Sequence, residues 1–286
     1  MDNDIKTKGQ NETAAIVGKS EGLAEVSADP FALAPATPDI YVQPPELAAL
    51  KQAIRDGKTA VLTGPLGIGK TALCEEITRE LKRESLSSDA AKQIVPVFLK
   101  GAAYNKTDDF IRGILTELAL DTNKERAELL SIILRWPDEH PERLVIVVDD
   151  ASESGANVGE LGELLRVIAD IPRMALVLNG EPNGMQKFLE LNPPLRDRDQ
   201  AEIKLIPMTQ DELREMITKR AKMHGEDFIS ADAFDELYKL SKGVPRAALK
   251  AASKAFELAR KEGKKIDKKL VRRANHVSLW ARLLRR

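Results

Sequence analysis

The chain begins its regular patterning at residue 46. From 46 to 56 the apolar residues Leu47, Leu50 and Ile54 fall on one helical stripe, and Gly57 follows as a stop signal. Beyond it the pattern changes to short, unbroken apolar runs: TAVLT at 59–63, IVPVFL at 94–99, LVIVV at 144–148 and MALVL at 174–178, with a further short strand expected at 202–206. LVIVV, apolar at every position, is expected of a central parallel strand covered on both faces. Pro96 lacks a backbone donor and sets its strand at an edge or bulge. Helical patterns lie between the runs, at 70–83, 108–118, 124–134 and 159–169. The alternation predicts an α/β fold, a parallel sheet sandwiched by helices. After Pro207 the strands stop, and 211–223, 231–240, 245–261 and 268–274 all read as helices, with Thr209, Ser230 and Asp267 as N-caps.

This divides the chain into a flexible N-terminal tail (1–29), an α/β domain (30–207), a small all-helical domain (208–276) and a basic C-terminal tail (277–286). Residues 30–45 carry five prolines with Phe31, Leu33, Ile40, Tyr41 and Val42 between them, too apolar for a free linker, and are expected to lie extended against the body. The 286 residues are 43% hydrophobic and 31% charged, enough for a full core. One cysteine, Cys74, excludes an internal disulfide, and three dispersed histidines offer no zinc spacing. With no signal peptide and no apolar run near membrane-spanning length, a cytoplasmic setting is expected. The net charge of −1 hides an asymmetry: residues 260–286 hold eleven Lys+Arg against two acids. A basic end on an acidic body suits an anionic partner, nucleic acid first, although a solvated helix face gives the same charge pattern.

One stretch carries specific chemistry. GPLGIGKT, from Gly64 through Pro65, Gly67, Ile68, Gly69 and Lys70 to Thr71, fits GxxxxGK[ST] between a strand and a helix, with Ala72 following. Glycines let backbone N–H groups converge on phosphate oxygens, and the next helix aims its N-terminus at the same anion. Lys70 would reach the β- and γ-phosphates and the Thr71 hydroxyl would bind Mg²⁺. Asp149 ends the LVIVV strand, where an aspartate would hold the metal together with Thr71. Asp150 follows, placed to orient an attacking water, one methylene shorter than a glutamate in that role.

Other candidates compete with plainer roles. Asn179 ends the MALVL strand and could bond the attacking water or γ-phosphate, or form an Asn-Gly turn. Arg196 and Arg198, in NPPLRDRDQ, could reach a neighbouring subunit's γ-phosphate or be solvated loop charges. Arg246 opens a helix in KGVPRAALK. Lys100 and Lys106 flank Tyr104 in KGAAYNK, a sparse mixture for nucleic-acid backbone contact and stacking. Lys268, Lys269, Arg272 and Arg273 are the corresponding candidates near the basic end.

Taken together, DPFALAPATPDIYVQPPELAAL before the phosphate loop, VFLKGAAYNKTDDFIRGILTELAL, LVIVVDDAS, ALVLNGEP and LSKGVPRAALKAA make residues 30–274 resemble the AAA+ ATPases of the ExeA type, with the related MuB and TnsC transposition ATPases. The resemblance implies a P-loop NTPase sheet domain and an α-helical lid. It implies ATP and Mg²⁺ as ligands, Tyr41 and its neighbour Ile40 on the adenine side, and Arg246 touching nucleotide from the lid. It also implies Arg196 or Arg198 acting across a subunit interface, in a ring or filament formed with ATP and, in the transposition branch, on DNA with a transposase partner. Asp150 departs from that family's glutamate, which implies slow hydrolysis, and the secretion branch's membrane segment is missing from the sequence. The expected function is an ATP-assembled, DNA-associated ATPase of the transposition or recombination kind. The alternative is a nucleotide switch or assembly ATPase acting on a protein partner without DNA.

Overall fold

A computed structural model describes residues 29–33, 37–86, 93–222 and 228–283, with side chains up to residue 275. Residues 1–28 of the expected tail (1–29), the side chains of the basic end and the expected helix terminus at Met223 lie outside the described residues, while Asp29, its last residue, is held by the Phe31 N–H and Ser253 Oγ.

Helix α1 (Glu46–Asp56) ends at Gly57, whose φ of 74° closes it with a left-handed cap that glycine adopts without steric cost. Strand β1 (Thr59–Thr63) leads through the phosphate loop into α2 (Lys70–Ser85). Then come β2 (Ile94–Lys100), α3 (Thr107–Glu117), α4 (Arg126–Leu134), a single turn α5 (Trp136–Glu139) and β3 (Arg143–Asp149). Helix α6 (Val158–Asp170), β4 (Met174–Gly180), α7 (Pro182–Glu190), α8 (Pro193–Arg196) and β5 (Gln200–Lys204) complete the sheet portion. The five strands are parallel, in the order β2-β3-β4-β1-β5.

Period-2 alternation splits the core across the sheet. Leu144, Ile146 and Val148 of β3 pack with Phe110, Ile114, Leu161 and Leu165 of α3 and α6. Val145 and Val147 face the other way, with Leu73 and Ile77 of α2 and Leu50 and Ile54 of α1. All seven residues of β4 are buried, as a central strand requires. β2, with Pro96, is an edge strand.

The remaining elements are α9 (Gln210–Lys222), α10 (Ala231–Ser241), α11 (Pro245–Glu262) and α12 (Lys268–Leu283), which share a core of their own. Thr209 caps α9 reciprocally with Glu212, the Thr209 N–H donating to Glu212 Oε2 at 2.7 Å and the Glu212 N–H to Thr209 Oγ1 at 3.3 Å. Asp267 accepts from the Leu270 N–H at 2.7 Å. Ser230 precedes α10 without capping it, because its hydroxyl is taken by Asp232 and the Ile266 carbonyl. Among the described residues no helix is long and apolar enough to cross a membrane.

Several expectations move. β5 begins at Gln200 and pairs with β1 over Thr59↔Gln200 to Thr63↔Lys204, two residues earlier than its apolar residues suggest, since an edge strand buries little. Asn179 and Gly180 form no turn but are the last residues of β4, and Pro182 stands at the first position of α7, where its fixed φ and missing N–H suit a helix start. Pro193 does the same for α8. Helix α12 continues past 274, since nothing there breaks it. The leading proline-rich segment is docked on both parts: Phe31 and Val42 join the helical core, and Gln43 Nε2 donates to Glu80 Oε1 of α2 at 3.2 Å. Phe31 is fully buried among α9–α12, its ring 6.1 Å from Phe228 and 6.0 Å, edge-on, from Phe256.

Candidate nucleotide-binding site

The phosphate loop occupies the C-terminal edge of the sheet. Gly67 and Gly69 have φ of 79° and 113°, a backbone course that L side chains rarely follow, so these two glycines are conformational necessities. Lys70 is buried, its Nζ donating to the Gly64 carbonyl at 2.9 Å and the Pro65 carbonyl at 3.4 Å, so the ammonium stays folded into the loop.

Strand order explains the rest of the cluster. β4 lies between β1 and β3, and β1 pairs with it up to Leu62↔Asn179 and Thr63↔Gly180. The end of β4 is therefore inserted between loop and acidic pair. Asn179 is fully buried there; its Nδ2 donates to Asp149 Oδ1 at 2.6 Å and Cys74 Sγ at 3.0 Å, and its Oδ1 accepts the Asp150 N–H at 3.0 Å. Thr71 Oγ1 donates to the same Asp149 oxygen at 3.0 Å. Burial raises the Asp149 carboxyl above its ordinary pKa, opposed by the Asn179 and Thr71 hydrogen bonds. The Cys74 thiol is pushed up by burial too, which keeps it a neutral packing group. Asp150 has φ 51° and ψ 50°, left-handed, and lines the cavity.

The hydroxyl of Thr71 and the carboxylate of Asp149 are a hard oxygen pair at the head of an anion-directed helix, a donor set that fits Mg²⁺ beside phosphate. A cavity of about 370 Å³ extends from Thr71, within the usual range of small-ligand sites. The loop and strand ends give its polar wall: Gly67, Gly69, Lys70, Thr71, Lys100 and Asp150. Ile40, Tyr41 and Val42 of the leading segment line it with Leu205, Met216 and Leu249. Burial, joined by the nearby Glu76 carboxylate, pushes the Tyr41 hydroxyl pKa upward.

Arg246 brings the helical cluster onto the loop: its N–H donates to the Gly67 carbonyl at 3.2 Å, and its side chain lines the cavity. A Cβ on Gly67 would lie 2.6 Å from that of Arg246, so glycine is needed here for close approach as well as for φ.

The other candidates are dispersed. Arg196 is half-exposed and, among the described residues, pairs only with Asp197 beside it, at 2.7 Å. Arg198 is tied to Asp170 and to the Ala169 carbonyl at the end of α6. Neither lines the cavity, and Arg198 is no free loop charge. Tyr104 packs edge-on against Phe110, with centroids 5.4 Å apart, and stays partly exposed. Lys106 is exposed at the start of α3, whereas Lys100 lines the cavity. Arg272 pairs with Glu236 at 2.9 Å and Arg273 with Glu262; Lys268 and Lys269 precede them on α12. Sequence reasoning missed Arg220, a buried arginine of α9 that lines the cavity and donates to the Ala32 carbonyl at 3.1 Å. A helical stripe of Leu213, Ile217 and Arg220 carries no sign of which neighbour covers it.

The family model of the AAA domain matches residues 54–189. An uncharacterized HTH-type transcriptional regulator of Methanocaldococcus jannaschii is 23% identical over 254 residues, covering 76% of this chain and 62% of that protein. The Holliday junction branch migration complex subunit RuvB of Rickettsia africae is 27% identical over 210 residues, covering 72% of this chain and 54% of RuvB. The chain thus spans less than two thirds of the length of either relative. Among solved structures, the Aeropyrum pernix ORC2 protein in ADPNP–ADP complexes superposes with a TM-score of 0.65 at 17% identity, covering 86% of this chain and 70% of that one. Residues 54–189 match the AAA domain model, and the chain has a P-loop AAA+ fold, a parallel five-stranded sheet with helices.

Proposed function

We propose that the chain is an ATPase that binds ATP with Mg²⁺ between its sheet portion and its helical lid, assembles with further copies in that state, hydrolyses slowly and works on DNA. One observation carries the reading: the cavity is walled by the phosphate loop on one side and by α9 and α11 on the other, with Arg246 bonded to Gly67. A ligand filling it touches both parts, so its phosphate state can set how the lid, and any subunit docked on it, is held.

Lys70 and the loop N–H groups neutralise the phosphates, Thr71 and Asp149 hold the metal, and Asp150 orients the attacking water in an in-line displacement. Mg²⁺, when bound, withdraws charge from the phosphate oxygens. Asn179 aligns both acids by bonding the side chain of one and the backbone of the other. Arg196, with a neighbouring aspartate as its only partner among the described residues, is better placed than Arg198 to reach a second subunit. The names of the two relatives, a transcriptional regulator and a Holliday-junction subunit, support the DNA association. Within it, the resemblance to the MuB and TnsC ATPases supports a transposition-type regulator. The pairing of Arg272 and Arg273 with lid glutamates favours the second reading, a switch read by a protein partner.

The test is light scattering without nucleotide, with ADP and with a slowly hydrolysed ATP analogue, each with and without duplex DNA. Assembly that needs the triphosphate and grows with DNA is expected, and Lys70→Ala should abolish it together with nucleotide binding. Tight ATP binding by Lys70→Ala would overturn the site assignment. Assembly indifferent to DNA would move the reading to the protein-directed switch.

A further inference from the structure

Lys100 is the last residue of β2 and pairs in register with Asp149 of β3. Along β2, Val97 and Leu99 enter the core beneath α3 and α6, while Phe98 packs with the cluster beneath α1 and α2. The period of two places Lys100 on the Phe98 face, toward the start of α2. There it lines the cavity with Lys70, Thr71, Glu75 and Asp150. Gly101 lets the strand end approach this closely: a Cβ at 101 would lie 2.7 Å from the Asp150 carbonyl oxygen and 3.0 Å from that of Asp149.

The two cavity lysines are differently committed. Lys70 is buried and bonded to loop carbonyls. Lys100 is exposed, and its ammonium has no ion pair or hydrogen bond among the described residues. Its charge acts on the Asp149 carboxyl. The apolar walls of the cavity come from the leading segment and the lid, and its cations and acids from the loop and strand ends. A nucleotide therefore lays its base against the former and its phosphates along the latter, with the phosphate farthest from the base nearest the strand ends.

We propose that Lys100 is a specificity-determining residue of this site, its ammonium pairing with the terminal phosphate of a nucleoside triphosphate so that the site tells ATP from ADP. The proposal rests on the nucleotide-binding reading above. A terminal phosphate offers the ammonium a stronger acceptor than solvent does, and the flexible four-carbon stem lets it swing between that phosphate and the carboxylates of Glu75, Asp149 and Asp150. A diphosphate leaves it with the carboxylates. Lys100 is thereby moved from the candidate DNA contacts to the nucleotide contacts.

The test is calorimetric titration of the full chain with Mg²⁺ and either ADP or a slowly hydrolysed ATP analogue, for the wild type and for Lys100→Ala, Lys100→Glu and Lys100→Arg, with melting curves to verify folding. Alanine and glutamate should weaken the triphosphate by about tenfold or more. ADP affinity should stay within about twofold of the wild type, and arginine should retain most of the discrimination. Equal loss for both nucleotides, or loss for neither, would overturn the proposal. Unchanged nucleotide affinities with weakened DNA binding would overturn it and return Lys100 to the DNA face. A wild type that binds neither nucleotide would sink the underlying reading as well, a result distinguishable from any effect of the Lys100 variants.

Discussion

At Asp150 a backbone requirement meets the chemical role proposed for the residue. Its φ of 51° and ψ of 50° cost most L residues about 1–2 kcal/mol, and aspartate is among the few whose short polar side chain tolerates them. Its N–H is held by Asn179 Oδ1, so the conformation is imposed from β4. Asp150→Glu should therefore act twice. Stability should fall by about 1 kcal/mol, a melting shift of roughly 2–4 °C. Steady-state phosphate release should rise, because the longer acid reaches further toward the water. Unchanged release with lowered stability would mean that Asp150 does not position water. The phosphate loop and the acidic pair stand plainly in the sequence, since GPLGIGKT and LVIVVDD each pair a chemical requirement with a local structural one. Arg220 and Lys100 do not, because a lone cation carries no mark of which cavity its tertiary neighbours form.

At the scale of elements, the leading segment behaves as a strap. Phe31 is buried in the lid core, Lys219 Nζ donates to the Tyr41 carbonyl at 3.1 Å, and Ser253 Oγ donates to Asp29 Oδ2 at 2.5 Å. A few residues on, Leu47 and Leu50 belong to the core beneath the sheet. The chain thus ties lid to body along the wall where Ile40 and Tyr41 meet the cavity. Phe31→Ala should remove about 3–5 kcal/mol from the helical cluster. Hydrogen exchange should then show lost protection in α9–α12 with the strands β1, β3 and β4 little affected. Uniform loss through the sheet would mean that the two cores unfold as one. Five prolines and scattered apolar residues told that this segment is docked. They did not tell against which surface, because an extended segment has no amphipathic period to orient it.

For the whole molecule, the charge asymmetry is partly neutralised within the fold. Arg272 and Arg273 of α12 face Glu236 of α10 and Glu262 of α11. Arg272 and Arg273 keep half or more of their side-chain surface in solvent; Arg273 can exchange its partly exposed Glu262 for a phosphate at small cost, whereas Arg272 would leave the buried Glu236 unpaired. If α12 tracks DNA, Arg272→Ala with Arg273→Ala should lower the slope of log affinity against log salt by about two, measured by fluorescence anisotropy on duplex DNA. An unchanged slope would remove these two arginines from any DNA interface.

By itself the sequence determined the kind of fold and the identity of the phosphate loop, because both rest on local rules. Apolar runs of strand length between helical stripes can bury both faces only as a parallel sheet, and glycines at fixed offsets before Lys70 and Thr71 serve the phosphate cradle. Tertiary structure alone decided the insertion of β4 between β1 and β3, which sets Asn179 between Cys74 and both acids, and the docking of Phe31 into the lid. It alone also decided the meeting of Arg246 with Gly67 and the turn of Lys100 into the cavity. Each of these depends on which surfaces come together across long stretches of chain. Periodicity fixes which face of an element is buried and leaves its partner unnamed.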